Sequence, residues 1–146
     1  MIKIRGNALT LEQFIAVTRD FEEVELAQES LQQVRAARAM VDDYVNRKAA
    51  VYGITTGFGK LCNVSIPRED TKALQKNLIM SHACGVGEVL PEDAVRGMML
   101  LRANNLVCGF SGAREETIQC LVDMLNQRVY SAVYEQGSLG ASGDLV

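Results

Sequence analysis

The sequence predicts a mainly α-helical fold in one domain, and three observations lead to that class. Residues 24 to 48 contain neither glycine nor proline, and apolar side chains recur in them at helical spacing. Stretches with glycine or proline then divide the rest of the chain into segments of helix length. Residues 129–134, with their β-branched and aromatic side chains, are the one stretch that we expect to be extended. With 146 residues, the chain is long enough for one sizeable core.

The first two helices are predicted from a capping signal and an apolar stripe. Thr10 is followed three residues later by Gln13, which is the spacing of a capping box, so a short helix should run to about residue 18. A long amphipathic helix is expected over residues 24–48. Its apolar residues are Leu31, Val34, Val41 and Val45.

A glycine-rich loop and a further helix are predicted next. Residues 51–59 hold three glycines and two aromatic residues, which is typical of a loop. Pro67 suits a first helical position, and residues 71 to about 84 have a helical pattern. Its inward face should carry Leu74, Leu78 and Ile79.

The last third of the chain is predicted to contain two more helices and one extended segment. Pro91 begins a helix, and residues 109–112 form the turn that follows it. Residues 113–126 form the final helix. Residues 129–134 are expected to be extended and to lead into a terminal glycine-rich stretch, residues 137–145.

Composition excludes several classes of function. The net charge is −3, with both signs mixed along the chain, which argues against a nucleic-acid surface or a polybasic membrane patch. No apolar run reaches the length of a membrane span, and the N-terminus lacks a signal-peptide core, so we expect a cytoplasmic protein. One histidine and four scattered cysteines disfavour a zinc site and predict reduced, mostly buried thiols.

The tripeptide Ala141-Ser142-Gly143 offers an unusual chemical option. In a tight turn the Gly143 amide nitrogen could attack the Ala141 carbonyl and close a five-membered ring. Loss of two waters, one carrying the Ser142 hydroxyl, would leave a methylidene on an imidazolone. Alone, a Gly/Ser run is more often a plain turn or linker. Neither a nucleophile elbow nor a P-loop fits, because Asp144 stands where the elbow needs glycine and the stretch lacks lysine.

Two further positions are candidates for chemistry. Tyr52 starts the glycine-rich loop, where an ordinary tyrosine would be half-buried with a bonded hydroxyl. A phenol acts as a base only where its surroundings favour the phenolate. Ser81 and His82 lie at a predicted helix end before Gly85-Val86-Gly87, so the imidazole could face a cleft, although a single helical histidine is more often structural.

These motifs together resemble the aromatic amino acid ammonia-lyases. The matching segments keep the order and spacing of that family and cover essentially the whole chain. They are Tyr52-Gly53-Ile54-Thr55-Thr56-Gly57-Phe58-Gly59, Ser81-His82-Ala83-Cys84-Gly85-Val86-Gly87-Glu88, Arg102-Ala103-Asn104 and residues 137–145. The sequence looks most like the N-terminal part of the histidine ammonia-lyase branch. The resemblance implies the N-terminal part of the ammonia-lyase/fumarase-like helical fold, with residues 1–146 as the segment that carries the electrophile.

The resemblance also implies a mechanism. The family uses a 4-methylidene-imidazole-5-one (MIO) group, built autocatalytically from the residues matched by Ala141, Ser142 and Gly143, and no metal. The tyrosine matched by Tyr52 is taken as the base that removes the β-proton. The pair matched by Ser81 and His82 is associated with selection of the substrate side chain and favours L-histidine, giving urocanate and ammonia.

Two departures from the family pattern affect these expectations. Tyr134 stands where family members usually have proline, which could alter the entry to the terminal loop. Family chains are several times longer and form homotetramers whose active sites combine several subunits. The resemblance therefore implies that this segment alone is inactive and that its tripeptide stays uncyclised.

Two alternatives stay open. The chain could belong to another MIO enzyme, a tyrosine or phenylalanine ammonia-lyase or an aminomutase. It could also be a non-catalytic helical association domain derived from the lyase. Retention of Tyr52, His82 and the Ala141-Ser142-Gly143 tripeptide argues against the second alternative, because a scaffold needs none of them.

Overall fold

The computed structural model describes residues 1–57, 66–67 and 70–137, and helices dominate it, as predicted. The helices are α1 (Leu11–Thr18), α2 (Gln28–Asn46), α3 (Thr71–His82), α4 (Glu92–Leu106) and α5 (Glu115–Asn126). The strands are β1 (Ile2–Ile4), β2 (Val24–Leu26), β3 (Val86–Val89) and β4 (Tyr134–Gln136). Within these described ranges, every helix is too short or too polar to cross a membrane.

The described residues divide into two compact units. The first consists of Met1–Val41 and Pro91–Ser131, and the second of Asp42–Leu90 and residues 132–137. In the first unit, α4 packs against α1 and α5, and α5 packs against β2. Its core is almost entirely aliphatic: Ile4, Val17, Val24, Leu26, Leu31, Val34, Leu100, Ala103, Val107, Ile118, Val122 and Leu125.

A short parallel sheet replaces the start of the predicted long helix. Ile2 pairs with Val24, and Ile4 pairs with Leu26. The prediction of helix from residue 24 is therefore wrong for its first residues, and α2 begins only at Gln28. Val24 and Leu26 are buried, because alternation along an extended strand turns both side chains to the same core.

Helix α1 confirms the predicted capping box and packs closely on α4. The Thr10 hydroxyl accepts a hydrogen bond from the Gln13 amide at 3.3 Å, and the Gln13 side chain accepts one from the Thr10 amide at 3.1 Å. On α4, a Cβ placed on Gly97 would lie 2.7 Å from Cζ of Phe14. The two helices can approach this closely only because Gly97 has no side chain.

A buried arginine connects the ends of two helices. Arg96 is 2% exposed, and its guanidinium donates hydrogen bonds to carbonyl oxygens of Val17, Thr18 and Leu125 and to the Tyr130 hydroxyl. The Phe21 ring lies 4.5 Å from the guanidinium carbon, as a cation–π contact. The charge is thus satisfied by helix C-terminal carbonyls, which carry partial negative charge.

The side chain of Asn126 binds the backbone of β2. Its Oδ1 accepts a hydrogen bond from the Val24 amide at 2.9 Å, and its Nδ2 donates one to the Val24 carbonyl at 2.9 Å. Asn126 is the last residue of α5. The end of that helix is therefore joined to the strand by a pair of hydrogen bonds.

The second unit contains α3 and an antiparallel pair of strands. Val86 of β3 pairs with Gln136 of β4, and Val89 pairs with Tyr134. The extended segment predicted over residues 129–134 forms its strand only from Tyr134, and β3 was not predicted. An antiparallel partner far along the chain leaves no local signal in so short a stretch.

Two predictions about burial are wrong. Ile79 was expected on the inward face of α3, but it is 69% exposed, while Leu74 and Leu78 are half-buried. Among the described cysteines, Cys84 and Cys120 are exposed, although buried thiols were expected. The cysteine prediction followed the average behaviour of free cysteine, which is only a tendency.

Candidate active site

Tyr52 opens a tight turn that is held by a threonine hydroxyl. The Ile54 and Thr55 amides donate to the Val51 carbonyl at 3.1 and 3.0 Å. The Thr55 hydroxyl accepts from the Val51 amide at 2.8 Å and donates to the Ala49 carbonyl. Tyr52 itself is 61% exposed, so its ring projects from the turn.

Glycine and a buried threonine complete this turn. Gly53 has φ +75°, a left-handed conformation that glycine adopts without a steric penalty. Thr56 is buried, and its hydroxyl donates to the Gly57 carbonyl at 3.1 Å. Sequence reasoning singled out Tyr52 but missed Thr55 as the residue that holds the turn. The only available signal was the Thr-Thr-Gly sequence, since threonine hydroxyls often bond nearby backbone groups.

Ser81 and His82 lie together at the C-terminal end of α3. Nδ1 of His82 is 2.8 Å from the Leu78 carbonyl oxygen and 2.9 Å from Oγ of Ser81. The Ser81 hydroxyl donates to the same carbonyl at 2.8 Å. His82 is half-buried and Ser81 is exposed. The imidazole is therefore fixed by its own helix at one nitrogen.

The chain after His82 turns out of the helix and enters β3. The Ala83 amide donates to the Ile79 carbonyl at 3.0 Å, and the Cys84 amide donates to the His82 carbonyl at 2.9 Å. Gly87 has φ +90°, so the Gly-Val-Gly motif supplies a conformation that other residues rarely adopt. Glu88, on the exposed strand that follows, is solvent-accessible.

The predicted site residues that the structure describes lie in the second unit. Ser81 and His82 contact each other, and Tyr52 belongs to the same compact unit. Ala141, Ser142 and Gly143 lie outside the described residues. Asn104, which belongs to a motif shared with the ammonia-lyases, has a structural role here, because its Oδ1 accepts the Gly6 amide at 3.0 Å.

Two depressions of the first unit have volumes of about 470 and 370 Å³, and neither is lined by Tyr52, Ser81 or His82. The larger one follows a single face of α5 and carries carboxylates. Within residues 1–57, 66–67 and 70–137, histidine, cysteine and carboxylate side chains form no group that could hold a metal ion.

Comparison with known proteins gives a consistent result. Residues 9–146 match the family model described as aromatic amino acid lyase. The histidine ammonia-lyase of Alkaliphilus oremlandii is 56% identical over 144 residues, which are 99% of this chain and 28% of that protein. The chain thus spans just over a quarter of the length of this relative.

Solved structures share the same fold. The histidine ammonia-lyase of Trypanosoma cruzi is 37% identical with a TM-score of 0.85, over 94% of this chain and 26% of the other. The phenylalanine aminomutase of Pantoea agglomerans is 30% identical with a TM-score of 0.88, over 99% and 28% respectively. The predicted fold, the N-terminal part of the ammonia-lyase architecture, is confirmed. The chain belongs to the aromatic amino acid lyase family.

Proposed function

We propose that this chain supplies the N-terminal part of a histidine ammonia-lyase, which converts L-histidine into urocanate and ammonia. The observation that carries the proposal is 56% identity to a histidine ammonia-lyase over 99% of the chain. The geometry of Ser81 and His82 supports it, because a fixed imidazole at a helix end is suited to recognise a polar aromatic side chain.

The residues Ala141, Ser142 and Gly143 have the chemistry that an MIO group requires. Gly143 offers an unhindered amide nitrogen, Ser142 a hydroxyl that can leave as water, and Ala141 an uncrowded carbonyl. When formed, this group supplies an electrophile that converts the substrate nitrogen into a better leaving group. The fit rests on the identities of these three residues.

The elimination itself needs a base for a weakly acidic proton. Tyr52 takes the β-proton of the substrate, the electrons of that C–H bond form the new C=C bond, and the C–N bond breaks with its electrons on nitrogen. The turn fixes the backbone of Tyr52, so it limits the positions that the phenol can reach, which suits proton transfer. His82, supported by Ser81, binds the imidazole of the substrate.

The proposal includes self-association and a cytoplasmic location. Ile79 and Met80 on α3 are 69% and 66% exposed, and apolar side chains of this size favour burial against another surface. A homotetramer is the assembly that we propose, in line with the family resemblance. The cytoplasmic location is favoured by the composition.

The test uses the complete gene product that carries these 146 residues, assayed with L-histidine, L-tyrosine and L-phenylalanine. Urocanate formed from L-histidine alone supports the proposal. An unsaturated acid from another substrate would identify a different ammonia-lyase, and a β-amino acid would identify an aminomutase. Absence of any product, with an intact oligomer, would favour the association domain.

The MIO group is tested by intact mass. The complete gene product should be lighter than its sequence mass by two waters, about 36 Da. The variant Ser142→Ala should keep its sequence mass and lose activity. The 146-residue chain alone should show its full mass of 16.0 kDa and form no urocanate, and urocanate formation by it would contradict this part of the proposal.

A further inference from the structure

The contacts of His82 determine which ring nitrogen carries the proton. Nδ1 lies 2.8 Å from the Leu78 carbonyl oxygen. A carbonyl oxygen can only accept a hydrogen bond, so Nδ1 must be the donor. In the neutral ring, a proton on Nδ1 leaves a lone pair on Nε2. Among the described residues, Nε2 has no hydrogen-bond partner.

Ser81 strengthens the same arrangement. Its hydroxyl proton is directed to the Leu78 carbonyl at 2.8 Å, so the lone pairs of Oγ are available to Nδ1–H at 2.9 Å. The Nδ1 proton of His82 therefore has two acceptors, the Leu78 carbonyl oxygen and Oγ of Ser81. Ser81 thus favours the tautomer of His82 that carries its proton on Nδ1.

We infer that Ser81 and the Leu78 carbonyl hold neutral His82 in the Nδ1–H tautomer, so that Nε2 accepts a hydrogen bond from the imidazole N–H of the substrate. The tautomer stands on the contacts alone, and the identity of the donor rests on the proposed function. Ser81 is then a positioning residue, and His82 is the residue that contacts the substrate.

This arrangement predicts a specific pattern of recognition. Neutral histidine has one ring N–H, and methylation of either ring nitrogen removes it. Steric exclusion would affect the two N-methylhistidines differently, because the methyl group points in different directions. Loss of the ring N–H donor would weaken the binding of both N-methylhistidines alike. Phenylalanine has no side-chain donor at all.

The tautomer can be measured in the 146-residue chain without ambiguity, because His82 is its only histidine. At a pH where imidazole is neutral, long-range ¹H–¹⁵N correlation should show a pyrrole-type Nδ1 and a pyridine-type Nε2. The opposite pattern would overturn the inference. Far-UV circular dichroism confirms that each variant remains folded.

Variants separate the two acceptors. Ser81→Ala should shift the tautomer population of His82 toward Nε2–H. Ser81→Thr keeps a hydroxyl and should show the same Nδ1–H pattern as the unchanged chain. Gln75→Ala, at an exposed position on the same helix, is the control and should also show that pattern. An unchanged signature in Ser81→Ala would remove Ser81 from the inference.

The substrate contact is tested in the complete gene product. Both N-methylhistidines should bind at least about tenfold more weakly than L-histidine, the scale of one lost hydrogen bond with its partner left unpaired. Ser81→Ala should raise KM for L-histidine about threefold to tenfold with a smaller change in kcat. Normal affinity for either methylated compound would overturn the Nε2 contact. If L-histidine is not a substrate, the proposed function fails while the tautomer measurement stands.

Discussion

Replacement of Arg96 by methionine should destabilise the first unit by about 2–6 kcal/mol, because the buried carbonyls of Val17 and Thr18 lose their charged donor at about 1–3 kcal/mol each. The guanidinium is 2% exposed and is the donor for carbonyls at the ends of α1 and α5. The Leu125 carbonyl keeps the Arg128 amide as a donor at 3.4 Å, so it contributes less to the loss. The apolar methionine offsets part of this loss, because burial of the guanidinium is itself costly.

Urea unfolding followed by far-UV circular dichroism measures this effect, provided that the dependence on urea keeps the same slope. Arg102→Met is the matched control, since Arg102 is exposed on the same helix, and it should change the free energy of unfolding by less than about 0.5 kcal/mol. Arg96→Lys should lose about 1.5–3 kcal/mol, the scale of one charged hydrogen bond, because one ammonium cannot reach both helix ends as the guanidinium fork does. Equal unfolding midpoints for Arg96→Met and Arg102→Met would refute the argument.

Three further predictions concern packing, pH and catalysis. Gly97→Ala should lower the free energy of unfolding in urea by about 1–3 kcal/mol, because the new Cβ would lie 2.7 Å from Cζ of Phe14. The double variant Gly97→Ala/Phe14→Leu should recover part of this loss, since leucine is smaller than phenylalanine. The Arg35 guanidinium donates hydrogen bonds to the Glu115 carboxylate at 2.6 and 2.9 Å and lowers the pKa of that carboxyl. The pair therefore stabilises the fold fully above the ordinary pKa of glutamate. This stabilisation is lost as pH falls through the lowered pKa of Glu115. Arg35→Gln should raise the Glu115 pKa toward its ordinary value in carboxyl ¹³C NMR, and an unchanged value would contradict the assignment. In the complete gene product, Tyr52→Phe should reduce kcat about 10²- to 10⁴-fold with the fold unchanged, and a smaller loss would show that the base lies elsewhere.

The elements that could be predicted from the sequence are those with local causes. The capping box of α1 involves residues three apart, so it is readable from Thr10 and Gln13 alone. The periodicity of α2 is likewise local. In contrast, β1 and β2 pair across 22 positions, and the three residues of each strand carry no pattern that predicts a partner so far away.

In the candidate site, too, only features with local causes could be predicted from the sequence. Ser81 and His82 were found by their motif, but the contact of Nδ1 with the Leu78 carbonyl is a matter of side-chain rotamer and needed the structure. Arg96 gave no signal in the sequence, because its acceptors are backbone carbonyls, which every residue has. The exposure of Ile79 was missed since an apolar residue at helical spacing predicts an inward face only when that face has a neighbour.

The pair of hydrogen bonds between Asn126 and Val24 has a consequence for aggregation. A strand at the edge of a sheet offers free amide and carbonyl groups to which another chain can add a strand. The amide and the carbonyl of Val24 are both already hydrogen-bonded to the side-chain amide of Asn126, which offers an N–H donor and a C=O acceptor as a peptide bond does. The side chain therefore imitates a neighbouring strand that is one residue long. Asn126→Leu should leave this edge unprotected, so faster hydrogen exchange at Val24 and earlier formation of intermolecular β-structure on heating are the expected results.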